Sequence, residues 1–444
     1  MSTYLSRRNV MAGAVSLAGG VALAACGAAA SAPSGGEKLA GTLQVWQGTE
    51  YQELWAATKS GFQKVAPNLQ VKVETLAVPQ GQTADDVIIA TSAAGTAADI
   101  WQHDVTPSWQ QGFVEKKIVL QLDDYYARLP NLKKVLPWAR TMTKIGGKTY
   151  GVPNEVEYIA VFYNKAVLDK LNVKQLPETW DAYVRLGNTL KSAGIQPQAE
   201  NGLPNYGHMF SLLLAGRLGR AGQEDVLFKE GRWDGEGPLD AAKAAKDLQA
   251  AGMLPADPFD AAAPKMPADF YSGAVALWMN GTWQVGGNNG YDATKRNVPG
   301  FDYDHFAVPG VPKASKPQIA SGLGGGWHVS AASKQRDAAA AWLDYQLSPE
   351  TQRVWIETFA EVPPVPYKPE DYSVSPGFKQ VLKVLAQPGD LGLNMMPLVS
   401  ATFRPFFWDQ VKALLTSQIG VAEWGSRLQR QWEQEKREGK VPKP

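Results

Sequence analysis

Three observations in the amino-acid sequence predict an α/β fold. Residues 42–46 alternate apolar and polar side chains in the manner of a half-buried strand, and residues 69–76 do so again. Between them, residues 51–65 place Leu54, Thr58, Phe62 and Val65 on one helical stripe. Strand, helix, strand in this order is a βαβ unit. In such sheets the binding crevice lies beyond the carboxyl ends of the strands, which makes Trp46, Gln47, Gly48, Thr49 and Glu50 candidates for ligand contact.

The segment ahead of this unit reads as an export signal. Arg7-Arg8 precede an apolar run over residues 10–23, too short and glycine-rich for a comfortable membrane span, and Leu23-Ala24-Ala25-Cys26 follows. Cys26 is the only cysteine in 444 residues. Leu-Ala-Ala-Cys resembles the bacterial lipoprotein processing site, which implies removal of residues 1–25 and lipidation of Cys26. Residues 6–10 resemble a twin-arginine export signal. The expected location is the outer face of the cytoplasmic membrane, with residues 26–40, rich in Ala, Ser, Pro and Gly, as a tether.

Residues 1–25 contain Arg7 and Arg8 and no acidic residue, so the remaining chain holds 42 basic and 43 acidic residues, a net charge of −1. A near-neutral chain gives no support for a nucleic-acid partner. With one cysteine there is no internal disulfide and no cysteine zinc site, so stability must come from apolar cores. About 420 residues suggest two or three domains on a prior of roughly 150 residues each.

Further along, residues 98–104 end a second strand at Trp101, Gln102, His103 and Asp104, and a helical stretch follows around residues 107–113. Trp101, His103 and Asp104 are expected to project into the crevice; a loop-capping role for His103-Asp104 stays open beside that. Residues 148–165 form an extended segment rich in β-branched and aromatic residues leading into a helix. Pro177 and the N-cap candidate Thr179 open another helix, with Trp180, Tyr183, Val184, Gly187 and Leu190 on its buried stripe. Around residues 269–283 a helix ends at Gly273, a buried strand follows, and Asn280-Gly281 turns the chain to present Trp283. Trp55, Trp138, Trp342 and Trp355 lie on helical stripes and are expected in the core.

The segments 148–165 and 176–181, then 269–283, 306–310, 322–330 with 338–343, and 403–408, resemble in that order the bacterial extracellular solute-binding proteins of family 1, the carbohydrate receptors of ABC importers. The resemblance implies a two-lobed periplasmic-binding-protein-like fold of type II, mixed sheets flanked by helices, with discontinuous lobes joined by hinge crossovers. Expected crossings lie near residues 155–158, 304–309 and 361–367. Lobe I is then 41–156 and 306–362, and lobe II is 157–305 and 363–444. The implied partners are a carbohydrate held between the lobes and the transmembrane subunits of an ABC permease. The chain is expected to be a monomer, with no cofactor and no metal.

Fifteen tryptophans and fifteen tyrosines fit that ligand. A pyranose has an apolar C–H face for aromatic platforms and a rim of hydroxyls for carboxylates and backbone donors. By resemblance to maltose-binding proteins, Trp101 and Asp104 fall on a sugar-touching Trp-x-His-Asp segment, Glu157 on a contact glutamate, and Trp283 and Trp408 on stacking tryptophans. Gly325, Gly326 and Trp327 resemble another contact region, and Arg404 completes the candidate set. Val105 stands where those proteins have arginine, which puts maltose itself in doubt.

Other readings remain beside this one. A solute receptor for a polyamine, iron or peptide has the same fold, and a secreted glycosidase could pair Glu155 with Glu157 or Asp104. Gly322-Leu323-Gly324 suggests a dinucleotide fingerprint, but Trp327 occupies its third glycine. His103, His208, His305 and His328 are scattered and form no His-Glu-x-x-His motif. The reading is of a binding protein, not an enzyme.

Overall fold

The computed structural model describes residues 39–200, 202–257, 259, 265–266, 268–285, 301–311, 317–387 and 389–442. The expected export signal, Cys26 and all but the last two residues of the expected tether lie outside the described residues. The strands are β1 Ala40–Trp46, β2 Asn68–Glu74, β3 Ile100–Asp104, β4 Lys144–Ile145, β5 Lys148–Thr149, β6 Val152–Pro153 and β7 Val156–Asn164. They continue with β8 Gln196–Gln198, β9 Val275–Gly281, β10 Tyr303–Phe306, β11 Ala320–Leu323, β12 Gly325–Val329 and β13 Gly392–Leu393.

The N-terminal βαβ unit forms as the alternation predicts. β1 pairs in parallel with β2, Leu43 opposite Val71, and the intervening helix Thr49–Val65 buries Leu54, Thr58 and Phe62 against the sheet. β3 joins on the other side of β1 in parallel, and β12 and β6 complete the first sheet in antiparallel pairing, order β2-β1-β3-β12-β6. The second sheet has the order β13-β11-β7-β9-β8, with β10 also on β7. β7 is its centre: all nine residues except Tyr163 are buried, as expected for a strand covered on both faces.

The helices that cover each sheet follow from the same residue patterns. Thr179 caps the helix Trp180–Ser192 by accepting from the Ala182 N–H, and Trp180, Tyr183, Gly187 and Leu190 are buried there as expected; Val184 is only partly so. Gly273, at φ +82°, ends the helix Ala268–Ser272 before the fully buried β9. Over the first sheet, Trp327, Trp342 and Trp355 pack edge to face at centroid separations of 5.6 and 6.0 Å, and Trp55 joins Trp342 at 6.1 Å. Trp138 packs on the same core while only partly buried. Behind the second sheet Trp233, Trp424 and Trp432 form a comparable group with Phe403 and Phe407.

The chain passes between the sheets through very short connectors. Asn154 and Glu155 alone separate β6 from β7, and Gly324 alone separates β11 from β12. The passage expected near residues 304–309 is therefore at Gly324 instead. β10 and β11 both hydrogen-bond to β7, so both strands belong to the second sheet. Val362 and Pro364 lie at a third connection, where their carbonyls accept from the Val156 and Leu136 N–H groups at 2.7 and 2.8 Å. Among the described residues no helix is long and apolar enough to cross a membrane.

Candidate ligand-binding cleft

The carboxyl end of β3 supplies the first wall. A strand alternates its side chains between two faces, so Trp101 and His103 must share one face and Asp104 take the other. Trp101 and His103 both lie edge-on to Phe113, at 6.2 and 5.2 Å, and Trp101 is fully buried. His103 Nε2 is 2.6 Å from Asp85 Oδ1 on the helix Ala84–Ala94. Burial opposes charge on this imidazole, but the hydrogen bond and charge of Asp85 outweigh it and raise the His103 pKa. Burial likewise works against the Asp85 carboxylate, and His103 more than offsets it, so its pKa is lowered. His103 is thus fixed by its contact with Asp85.

Asp104 points the other way, toward the passage between the sheets. Its Oδ1 accepts from the Thr106 N–H at 2.9 Å and from the Thr106 hydroxyl at 2.6 Å. Residue 104 lies opposite Gly325, and Glu157 lies opposite Gly322, on strands joined at Gly324. The glycines make the room. A Cβ on Gly324 would collide with the Glu155 carboxylate, and one on Gly322 would sit 3.7 Å from Glu157 Oε1. Asp104, Glu155 and Glu157 therefore gather around one stretch of bare backbone.

Their surroundings hold all three acids away from ordinary carboxylate behaviour. Burial raises the Asp104 pKa despite its two bonds from Thr106. Burial pushes Glu155 up to about 7, opposed by the Gly325 N–H and reinforced by Asp104. Burial also lifts Glu157 well above the usual range; Glu155 and Asp104 add to this, and a hydrogen bond from Asn394 works against it. An ionised carboxylate only accepts hydrogen bonds, whereas a protonated one also donates. Such a set can match sugar hydroxyls, which do both.

The facing wall comes from the second lobe. Trp283, directly after β9, is partly buried and meets the His208 ring edge-on at 5.0 Å. Next to His208, Gly207 lies against the Trp408 indole nitrogen and Met396. The Trp408 Nε1 and His208 Nδ1 atoms are buried with no hydrogen-bond partner among the described residues. Burial lowers the His208 pKa to about 4, so this ring is neutral at neutral pH. Arg404 extends from the helix Phe403–Leu415 to the first lobe, where its Nη1 donates to the Ser108 hydroxyl at 2.8 Å and its carbonyl at 3.3 Å.

This architecture matches known proteins. The family model for bacterial extracellular solute-binding proteins matches residues 46–353, more than half of the chain. The chain belongs to that family. Diacetylchitobiose binding protein DasA of Streptomyces coelicolor is 30% identical over 224 residues, 48% of this chain and 49% of the relative. A maltooligosaccharide ABC transporter solute-binding lipoprotein of Streptococcus pneumoniae is 23% identical over 288 residues, 62% of each. The chain thus spans about half to three fifths of the length of these curated relatives. Among solved structures, a chitin oligosaccharide binding protein superposes with TM-score 0.74 at 20% identity, covering 89% of this chain and 98% of that one. A protein from work on xylan utilization by Caldanaerobius polysaccharolyticus gives TM-score 0.72 at 23% identity, covering 88% and 99%.

In this solute-binding protein several expected contacts serve the scaffold instead. Trp327 shares a face with Gly325 but lies one pleat deeper, where Trp342 and Trp355 enclose it completely. Gly326 is needed for packing: a Cβ there would come within 2.6 Å of Val105 Cγ1 and 2.5 Å of the Val152 carbonyl oxygen. The same crowding explains Val105, which is fully buried against Gly151 and Gly326 where an arginine would not fit. Trp101 is enclosed in a small core with Phe113, and Trp46 packs on that core. Gln47 is buried, its N–H bonded to the Glu74 carbonyl, and the Glu50 side chain lies outside the described residues. The expected set therefore divides. Asp104, Glu157 and Gly325 gather at the passage, and Trp283, Trp408 and Arg404 on the second lobe. Asp85, Ser108, Trp109 and Asn394 join them with no sequence motif to mark them, and Glu155 joins as a neighbour of Glu157.

Proposed function

We propose that the protein is the extracytoplasmic receptor of an ABC importer, taking an oligosaccharide into the cleft between its lobes and delivering it to the permease. Three carboxylates around a glycine passage, the buried Glu155 and Glu157 and the half-buried Asp104, with two tryptophans of the second lobe nearby, are the observation that carries this reading. The carboxylates suit hydroxyls and the indoles suit the C–H faces of sugar rings. The names of the matched relatives, a diacetylchitobiose binding protein and a maltooligosaccharide lipoprotein, support a saccharide of more than one ring.

Lobe I in this reading comprises residues 41–155 and 325–362, and lobe II residues 156–323 and 363–444. Sugar reaches both lobes only when they close, so binding favours the closed state by its differential affinity. The ligand contacts are Asp104, Glu155 and the Gly325 backbone on the first lobe, and Glu157, Trp283 and Trp408 on the second. Lipid on Cys26 would hold the receptor, as a monomer, at the outer face of the cytoplasmic membrane, where it meets the permease.

Calorimetric titration with N,N′-diacetylchitobiose, maltotriose, xylotriose and galactose tests the reading, with spermidine and a tripeptide as controls. Saturable binding of a saccharide, lost in Asp104→Asn, is expected. Binding of the controls alone overturns the ligand class, and hydrolysis of a bound saccharide overturns the receptor role.

A further inference from the structure

Arg404 is the second residue of the helix Phe403–Leu415, close to the positive end of the helix dipole, where a cation is disfavoured. It is also 92% buried, with a relative exposure of 8%. Neither feature benefits its own helix. Both are accounted for by what the side chain reaches. Its Cζ lies 3.2 Å from the centroid of the Trp109 ring, and Trp408 approaches at 5.6 Å, so two indoles attend one guanidinium. Trp109 and Ser108 belong to the helix Pro107–Glu115 beside β3, in the first lobe.

The platform under Arg404 is itself braced. The His103 ring meets Trp109 edge-on at 5.9 Å, and His103 is fixed by Asp85. Burial lowers the Arg404 pKa to about 10, opposed by the charges of Asp104 and Asp85. The guanidinium is thus enclosed with its hydrogen bonds, its closest aromatic face and the nearby acids contributed by the opposite lobe, and Trp408 contributed by its own helix. Lysine could not replace it there, because only a planar guanidinium stacks on a ring while donating sideways to Ser108.

We propose that Arg404 is a cross-lobe latch: by stacking on Trp109 and bonding Ser108 it sets the fraction of molecules that are closed, and it influences sugar binding through that fraction. A ligand whose competent state is more populated binds with correspondingly higher apparent affinity. Loss of a desolvated cation–π contact of this kind corresponds to a shift of roughly 10- to 30-fold in the closure equilibrium. That factor applies equally to every sugar, because the latch touches none of them.

Small-angle scattering of the whole chain without sugar tests the latch, comparing wild type with Arg404→Gln and Trp109→Leu. The expected result is a larger radius of gyration in both variants, with Ser108→Ala, which leaves the stack intact, shifting less. Equal radii in wild type and variants of unchanged melting temperature overturn the proposal. The second arm rests on the receptor reading: affinities for N,N′-diacetylchitobiose, maltotriose and xylotriose should fall by a common factor in Arg404→Gln. A loss that varies from sugar to sugar marks a direct contact and overturns the latch. If none of the three binds wild type, the receptor reading falls, while the scattering result still decides the latch.

Discussion

His103 Nε2 and Asp85 Oδ1 are 2.6 Å apart, joining the end of β3 to the helix Ala84–Ala94. That carboxylate outweighs burial and raises the pKa of the imidazole, whose ring in turn supports Trp109.

Removing the carboxylate should return His103 toward neutrality. In Asp85→Asn the His103 pKa, followed by NMR titration among only four histidines, is expected to fall. The stability effect has a defined window. A raised histidine pKa stabilises below 6.5 and loses that contribution as pH rises through the folded value; a lowered aspartate pKa stabilises above 3.8 and loses it as pH falls. The melting-temperature gap between wild type and variant should be widest between pH 3.8 and 6.5. A gap independent of pH contradicts the pairing.

Glu155 makes the opposite demand. Its pKa is raised from 4.5 to about 7, so the folded state holds a proton that the unfolded chain releases. Its contribution is complete below pH 4.5 and disappears as pH rises through about 7. Glu155→Gln should abolish this loss and stabilise the protein by up to about 3 kcal/mol at pH 8. Denaturant unfolding at pH 4 and pH 8 reads it directly, and a wild type equally stable at both values in this comparison refutes the assignment.

Tryptophans of the cleft and of the core should separate cleanly. Trp283→Ala and Trp408→Ala are expected to weaken sugar binding at least 10-fold, consistent with aromatic anchors worth about 2 kcal/mol. Trp327→Ala should instead lose about 3–5 kcal/mol of stability, the cost of deleting a fully buried indole. Equal melting losses in all three would place Trp283 and Trp408 in the scaffold.

Gly326→Ala tests the crowding beneath Val105. The added methyl has no space between Val105 and the Val152 carbonyl, so a loss of about 1–3 kcal/mol is expected by thermal unfolding. Gly420→Ala, where a Cβ meets nothing within 4 Å, serves as the tolerant control.

What the sequence disclosed depended on how local the signal was. The βαβ unit, the Thr179 cap and the end of a helix at Gly273 were legible because alternation, capping and positive φ are properties of neighbouring residues. The order of matching segments disclosed the fold. The site was legible only in part. Asp104 and Glu157 lie on recognisable segments, but the segment that marks Asp104 also carries Trp101 and His103, which strand alternation turns away from the crevice. Trp327 looked like a ligand platform because its depth depends on Trp342 and Trp355, which follow it in sequence and cover it in space. Asp85, Trp109 and Asn394 carry no motif; they matter because the fold brings them to β3 and β7. The passage at Gly324 differs from the one expected near residues 304–309, since nothing in residues 303–306 reveals that they pair with β7.

The two connectors at Asn154-Glu155 and Gly324 are two residues and one residue long. A residue spans at most about 3.6 Å, so these links can swivel but cannot lengthen. The lobes are therefore pinned together at one edge like the covers of a book at its spine, and opening changes their angle far more than their separation there. Glu155 sits on that spine. On the proposed reading, an arriving sugar would meet there an acid already close to its final position, and the outer walls would do most of the travelling.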